Sequence, residues 1–326
     1  MHFQEFSGFI GIVCNTVPKK TLSIIICTLN NYKGLENCIT SIGEQDMLPA
    51  EIIVVHGGGT EADITQLVEG LLAGTTIAFK YVRSIRSLVI QRNLGIDHAT
   101  GDVVLFLDDD VILTPEYIKN MMDVYESKWN DRLGGVQGII IENTRVKPWH
   151  PLEIMGRLFM LPNVTGKGVL LTSANPSFLG DCLDVEKVEV FSGCMMSFRR
   201  DVLNQYRFDE NLREFWLFDD VDLSYRISRQ YDLYQTPWAR LHHHSSSPNY
   251  EGHGKIAKMS AVNRSYLFKK YFRHSTLNWI PFIWSSMGEA LINILQSIKH
   301  LNTRPIMGLI EGWFMVYRGR VPYLHL

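Results

Sequence analysis

Along this chain, short mostly apolar stretches are separated by stretches with helical spacing. The apolar stretches are Leu22–Cys27, the EIIVV of Glu51–Val55, Ile77–Val82 and Val103–Leu107. The uninterrupted run Val103–Leu107 predicts a strand buried on both faces, central in a parallel sheet, and the other three stretches predict further strands. Between them, Leu35–Ile42, Ile64–Leu72 and Leu88–Ala99 carry apolar positions at three- and four-residue steps and predict helices. Strand alternating with helix predicts an α/β fold with a mostly parallel central sheet, right-handed crossovers and flanking helices.

Further along, Thr114-Pro115 opens a predicted helix over Tyr117–Ser127, followed by a strand over Gly135–Ile141. Residues 143–185 contain four prolines and scattered glycines, and read as an irregular functional loop. Val188–Phe191 leads into a strand over Ser192–Phe198, then a short helix over Arg199–Gln205. A helix over Phe215–Arg229 and a strand over Leu233–Leu241 follow. The last part, 251–326, reads as a helical extension. Lys255–Arg273 interleaves bases with Tyr and Phe, and Met287, Ala290, Leu291, Ile294, Leu295 and Ile298 form one stripe. That stripe suits contact with a membrane surface, with a second copy or with the core. Residues 1–20 read as a leader, leaving 21–250 as the main domain.

The chemistry concentrates where the predicted strands end. Val103–Leu107 runs directly into Asp108, Asp109 and Asp110. Adjacent carboxylates repel, and hard oxygen ligands of this kind suit Mg²⁺ or Mn²⁺ bridging to phosphates. A solvated acidic turn before the next helix explains them equally well. Thr28 and Asn30 follow the first strand, and His56 with Gly57, Gly58, Gly59 and Thr60 follows the second. In parallel sheets ligands bind beyond such C-terminal strand ends. The glycines form neither GxGxxG nor a P-loop. Asp219, Asp220 and Asp222 open a predicted helix, either for its dipole or as a general base. His242, His243 and His244 end the last predicted strand and are candidate metal ligands.

Totals narrow the classes. The 326 residues are 46% hydrophobic, enough for a large core, and the net charge of −2 offers nothing to nucleic acid. Five cysteines without a CxxC pair suit reduced thiols in a cytosol. The start lacks a signal-peptide pattern, and no apolar stretch is long enough to predict a spanning helix.

Taken in order, LSIIICTLNN, IIVVHGGGT, QRNLGIDHATGDVVLFLDDDVILTPEYI, FSGCMMSFRRDVL, FDENL and FDDVDLSYRI resemble family 2 glycosyltransferases of the GT-A fold, over roughly residues 21–245. The resemblance implies transfer of a sugar from a nucleotide-sugar donor to an acceptor hydroxyl with inversion, aided by Mn²⁺ or Mg²⁺. Asp108 and Asp110 match the family's DxD, Asp108 near the ribose and Asp110 on the cation, with Asp109 among the substrate-binding positions. Thr28, Asn30 and Arg92 match donor contacts. Asp220 matches the base, with Asp219 and Asp222 in support. His243 matches a late metal or phosphate contact, and Gly193 with Cys194 would face a sugar. His56 stands where the family usually has an Asp that touches the nucleobase, which leaves the base of the donor open. TLNN and HHHSSS resemble rhamnosyltransferase-like members. Acceptors in such proteins are glycans or lipid-linked glycans, which implies work in the cytoplasm at the inner face of a membrane. Three competing readings are a DxDxT phosphatase, a nucleotidyltransferase and a non-catalytic sugar-nucleotide binder. Position 112 is Ile, against the first, and no Gly-rich loop with a Lys follows the first strand, against the second.

Overall fold

A computed structural model of the protein describes residues 20–58, 61–212, 217–244 and 250–319. Expectations for residues 1–19, and for Gly59, Thr60, Phe215 and the serines after His244, lie outside the described residues.

The first third alternates as its pattern predicts. β1 (Leu22–Thr28), α1 (Tyr32–Gly43), β2 (Glu51–His56), α2 (Glu61–Leu72), β3 (Ala78–Arg83), α3 (Leu88–His98) and β4 (Val103–Asp108) follow in order. α1 starts three residues before its apolar stripe. The Asn31 side chain accepts a hydrogen bond from the Gly34 N–H at 3.1 Å and so satisfies the first turn. The four strands run parallel in the order β3-β2-β1-β4. From β1 the chain goes one way to β2, and later returns on the other side as β4. The crevice at this reversal opens between Thr28 and Asp108, because Cys27 is paired with Asp108. Ile24, Ile25 and Ile26 are wholly buried, alternating between the two apolar cores that sandwich the sheet.

The second half extends the sheet with mixed strand directions. β5 (Val111–Leu113), α4 (Tyr117–Lys128) and β6 (Leu133–Ile140) come first, then the short α5 (Ile141–Thr144). The stretch read as an irregular loop is ordered instead. It holds α6 (Pro151–Leu158) and a small sheet of β7 (Asn163–Gly166), β8 (Val169–Leu170) and β9 (Pro176–Leu179). Its prolines mark element starts rather than disorder: Pro151 opens α6 and Pro176 opens β9.

Next come β10 (Glu186–Val188) and β11 (Met196–Arg199). Residues 192–195 form a turn rather than the start of a strand. α7 (Arg200–Leu203), α8 (Asp219–Ser228) and β12 (Asp232–His243) complete this part. β11 lies antiparallel between β4 and β6, and β12 runs parallel to β6. The end of β12 pairs with β5, His243 opposite Val111. That pairing brings the histidines to the aspartates.

Three helices follow: α9 (Tyr250–Tyr271), α10 (Trp279–Lys299) and α11 (Arg304–Tyr317). α9 sends Val262, Tyr266, Leu267 and Phe268 into the core under the sheet. No described helix is long and apolar enough to cross a membrane. The described cysteines, Cys27, Cys38, Cys182 and Cys194, are free thiols.

Candidate active site

The triple aspartate forms the tight turn from β4 into β5, and its three carboxylates are put to three different uses. Asp109 is held from the β1 side: Thr28 Oγ1 donates to Oδ2 at 2.6 Å and Asn31 Nδ2 to Oδ1 at 3.0 Å. Burial pushes its carboxyl up, against the pull of those two bonds. Asn31, exposed like its neighbour Asn30, makes the contact to Asp109 at this rim. Gln91 Nε2 donates to the carbonyls of Thr28 and Val55, at 3.0 and 2.8 Å, and ties the ends of β1 and β2 together. His56 does not reach the crevice. It is fully buried, with Nδ1 3.2 Å from the Tyr81 hydroxyl and Nε2 2.9 Å from the Leu29 carbonyl.

Arg92 is the hub. From α3 its Nη1 meets Asp219 at 2.6 Å, while Nη2 meets Asp108 at 3.2 Å and donates to the Gly193 carbonyl at 3.0 Å. A buried cation needs such partners, and three groups from distant parts of the chain supply them. Burial pushes the Asp108 carboxyl up, partly offset by Arg92.

α8 begins abruptly. Phe218 takes a left-handed backbone, with φ of +70°, unusual for a bulky residue. The chain turns there so that Asp219 and Asp220 open the helix. Asp220 Oδ2 accepts from the Gly193 N–H at 2.7 Å and Oδ1 from the Val221 N–H at 2.8 Å. A Cβ on Gly193 would stand 3.1 Å from Arg92 Nη2 and 3.2 Å from Asp220 Oδ2, so the turn fits glycine closely. Burial and then the neighbouring Asp219 charge push the Asp220 carboxyl up to about 7. Asp222 points elsewhere: it is fully buried against Arg226, Lys270 and Tyr271 and joins α8 to α9. Cys194 is buried in the core, and burial raises its thiol well above the usual range.

Asp108, Asp110 and His243 each bring one ligand atom to a common point, all within 4.8 Å of one another. Ligands on opposite sides of a small divalent cation lie about 4.2 Å apart, at roughly 2.1 Å from the ion. The cluster therefore has the right size. Asp110 Oδ1 is 3.2 Å from His243 Nε2, yet this buried atom accepts no aligned hydrogen bond. An orphaned carboxylate oxygen beside a second carboxylate and an imidazole fits a cation such as Mn²⁺ or Mg²⁺, the imidazole leaning to Mn²⁺. His243 holds the Asp110 carboxyl below its ordinary range, and Asp110 raises the His243 imidazole.

Behind this cluster stands a residue that sequence reading missed. Glu142 Oε1 lies 2.7 Å from His242 Nδ1, and its Oε2 accepts the His243 backbone N–H at 3.2 Å. Its one legible signal was an acidic residue directly after a strand. Gln91 was visible only as the neighbour of Arg92. The crevice itself holds about 380 Å³, and its lining includes Thr28, Asp108, Asp110, Arg86, Leu212 and Lys255. Lys255 lines this cleft; its sequence context, the basic and aromatic stretch Lys255–Arg273, reads either as an ordinary amphipathic helix or as a binder of pyrophosphate or an anionic acceptor.

Two solved structures share this fold. A mannosyltransferase, PcManGT from Pyrobaculum calidifontis in complex with GDP-Man and Mn²⁺, superposes at a TM-score of 0.56 with 15% identity, covering 92% of this chain and 87% of that one. GalNAc-T7 with UDP, GalNAc and Mn²⁺ gives 0.54 and 15%, covering 78% and 50%. At that identity the likeness concerns the fold, which is of the GT-A type with a mostly parallel central sheet flanked by helices. In sequence, the chain is 32% identical over 106 residues to the uncharacterized glycosyltransferase YwdF of Bacillus subtilis. It is 25% identical over 108 residues to a glucosyl-dolichyl phosphate glucuronosyltransferase of Haloferax volcanii. These matches take in about a third of this chain and span 38% and 34% of those relatives' lengths. Residues 23–207, more than half of the chain, match the model of glycosyl transferase family 2, and the chain belongs to that family.

Proposed function

We propose that the protein transfers a sugar from a nucleotide-diphosphate-sugar donor to an acceptor hydroxyl, with inversion. The observation that carries this reading is the Arg92 hub, which links the Asp108 side of a cation-sized cluster to the Asp219–Asp220 start of α8 through one guanidinium. Asp108, Asp110 and His243 would hold Mn²⁺ or Mg²⁺, which supplies positive charge for the departing diphosphate. The solved relatives with Mn²⁺ support that assignment.

Asp220 acts as the general base. Its raised carboxyl sits nearer to the acidity needed for accepting a hydroxyl proton than an ordinary Asp does. The acceptor oxygen loses its proton to Asp220 and bonds to the anomeric carbon as the bond to the diphosphate breaks on the opposite face. The nucleoside diphosphate leaves with the electron pair. The Gly193 and Val221 N–H groups hold the Asp220 carboxylate, and Arg92 anchors the preceding Asp219. Thr28, Asn30 and Asp109 shape the donor side and the Gly193 backbone the turn against the sugar, with Cys194 packed in the core behind it. His56 acts through the Leu29 carbonyl rather than by touching a base. Lys255 and Arg86 add positive charge for the diphosphate.

In this reading residues 21–250 carry the reacting groups, and Lys255 of the helical extension adds its charge to them. The acceptor is a glycan or lipid-linked glycan, met on the cytoplasmic side of a membrane. A panel of UDP-, GDP- and dTDP-sugars with Mn²⁺, a rhamnosyl donor among them for the TLNN and HHHSSS likeness, tests it. Thermal stabilisation by one nucleoside diphosphate identifies the base. Stabilisation by none, with no donor consumed, overturns sugar transfer.

A further inference from the structure

α10 turns an apolar face outward. Ile280, Ile283, Met287, Leu291, Ile294 and Ile298 are all exposed, spaced three or four residues apart along one side. The opposite side buries Ser285, Gly288 and Glu289. α11 likewise exposes Ile310 and Phe314 while burying Gly308 and Gly312. α6 adds Leu152 and Leu158. α6 and α10 join where the Trp284 indole donates to the Leu158 carbonyl at 2.8 Å and its ring stacks on Phe159, and α11 packs beside α10, with Ala290 against the cluster that holds Leu309. An apolar area this broad is not left in water without a partner.

Charge says which partner. The bases that bear on this face are those of its own helices, because on α9 Lys255 lines the cleft, Arg264 is buried and Lys270 is paired with Asp209 and Asp222. Arg157, Lys299, Arg304 and Arg318 are exposed at the ends of the three helices. Among the described residues of these helices, Glu311 is the exposed acid, and it is paired with Lys258 at 3.3 Å. Two copies meeting through this face would set like charges against each other. An anionic lipid surface complements them. The exposed Trp149, Trp279 and Trp284 suit the water–lipid boundary.

We infer that α6, α10 and α11 together form a face that lies in the plane of an anionic bilayer, apolar side down and bases against the headgroups. α5, whose Glu142 contacts His242 and His243, is joined to α6 through residues 145–150, which links the face along the chain to the support of the candidate metal cluster. This deepens the transfer reading on which it rests: an acceptor carried on a lipid would arrive from that side.

The test is flotation of the full chain with vesicles of phosphatidylcholine, alone or with roughly 30 mol % phosphatidylglycerol. The protein should float with the anionic vesicles and fall at least about tenfold with neutral ones or in high salt. Ile283→Glu with Ile294→Glu should lose flotation with an unchanged circular dichroism spectrum. Lys299→Glu with Arg318→Glu should lose the preference for anionic lipid. Equal recovery with both vesicles, no recovery with either, or a dimer in light scattering that the isoleucine changes dissociate overturns the inference. No transfer chemistry enters this measurement, so its failure leaves the transfer reading standing.

Discussion

The Arg92 guanidinium meets the Asp219 carboxylate at 2.6 Å, with the two side chains only 4% and 2% exposed. They lie 127 residues apart in sequence, and each would be costly to bury alone. Replacing Arg92 with Met should therefore strand Asp219 and cost about 3–5 kcal/mol, the range for breaking a buried pair. Urea denaturation reads this directly. A loss well below about 1 kcal/mol would mean that solvent relieves Asp219 and that the hub is not structural.

Asp220→Asn should leave nucleoside-diphosphate binding intact and lower transfer by about 10²-fold or more. The base must be unprotonated to work. Its carboxyl is raised to about 7 by burial and by Asp219, so activity should fall as pH drops through neutrality, not near the ordinary Asp range around 4. The stability sign runs the other way. The folded form holds this proton more tightly, so the Asp220 contribution to stability weakens as pH rises from about 4 towards 7. A kcat/KM profile flat from pH 5 to 8 would remove Asp220 from the role.

Excess EDTA should abolish transfer, and Mn²⁺ or Mg²⁺ should restore it. Asp110→Asn should also erase the thermal stabilisation that Mn²⁺ gives, a readout independent of turnover. Full activity in chelator would overturn the cluster as a cation site.

Glu142 is a positioning residue. It fixes the His242 ring and the backbone entering His243, much as carboxylates behind metal-bound histidines do. Glu142→Gln should weaken Mn²⁺ affinity by about 10–100-fold without changing the fold, measured by calorimetric titration. Affinity equal to wild type would make the contact with His242 incidental.

Much of this was legible along the chain because it is local. An unbroken apolar run such as Val103–Leu107 becomes a strand buried on both faces, since such a run has no side to turn to water. Polar residues just beyond such strands then have one place to go, the rim. Thr28 and the triple aspartate are there for that reason. The stretch 143–185 misled because its prolines were read as breakers, whereas Pro151 and Pro176 sit at first positions where no N–H is missed. Asn31 and Asn30 are alike as letters, and only the cap geometry selects Asn31.

By itself the sequence determined the α/β alternation, the order of the strands along the chain and the kinds of residue at their ends, because those follow from periodicity and desolvation over a few neighbours. The tertiary structure alone decided which ends meet. The pairing of β12 with β5 brings His243 to Asp110, and the left-handed turn at Phe218 aims Asp219 at Arg92. Contacts across 100 or more residues depend on how whole layers pack, and no local pattern carries that information.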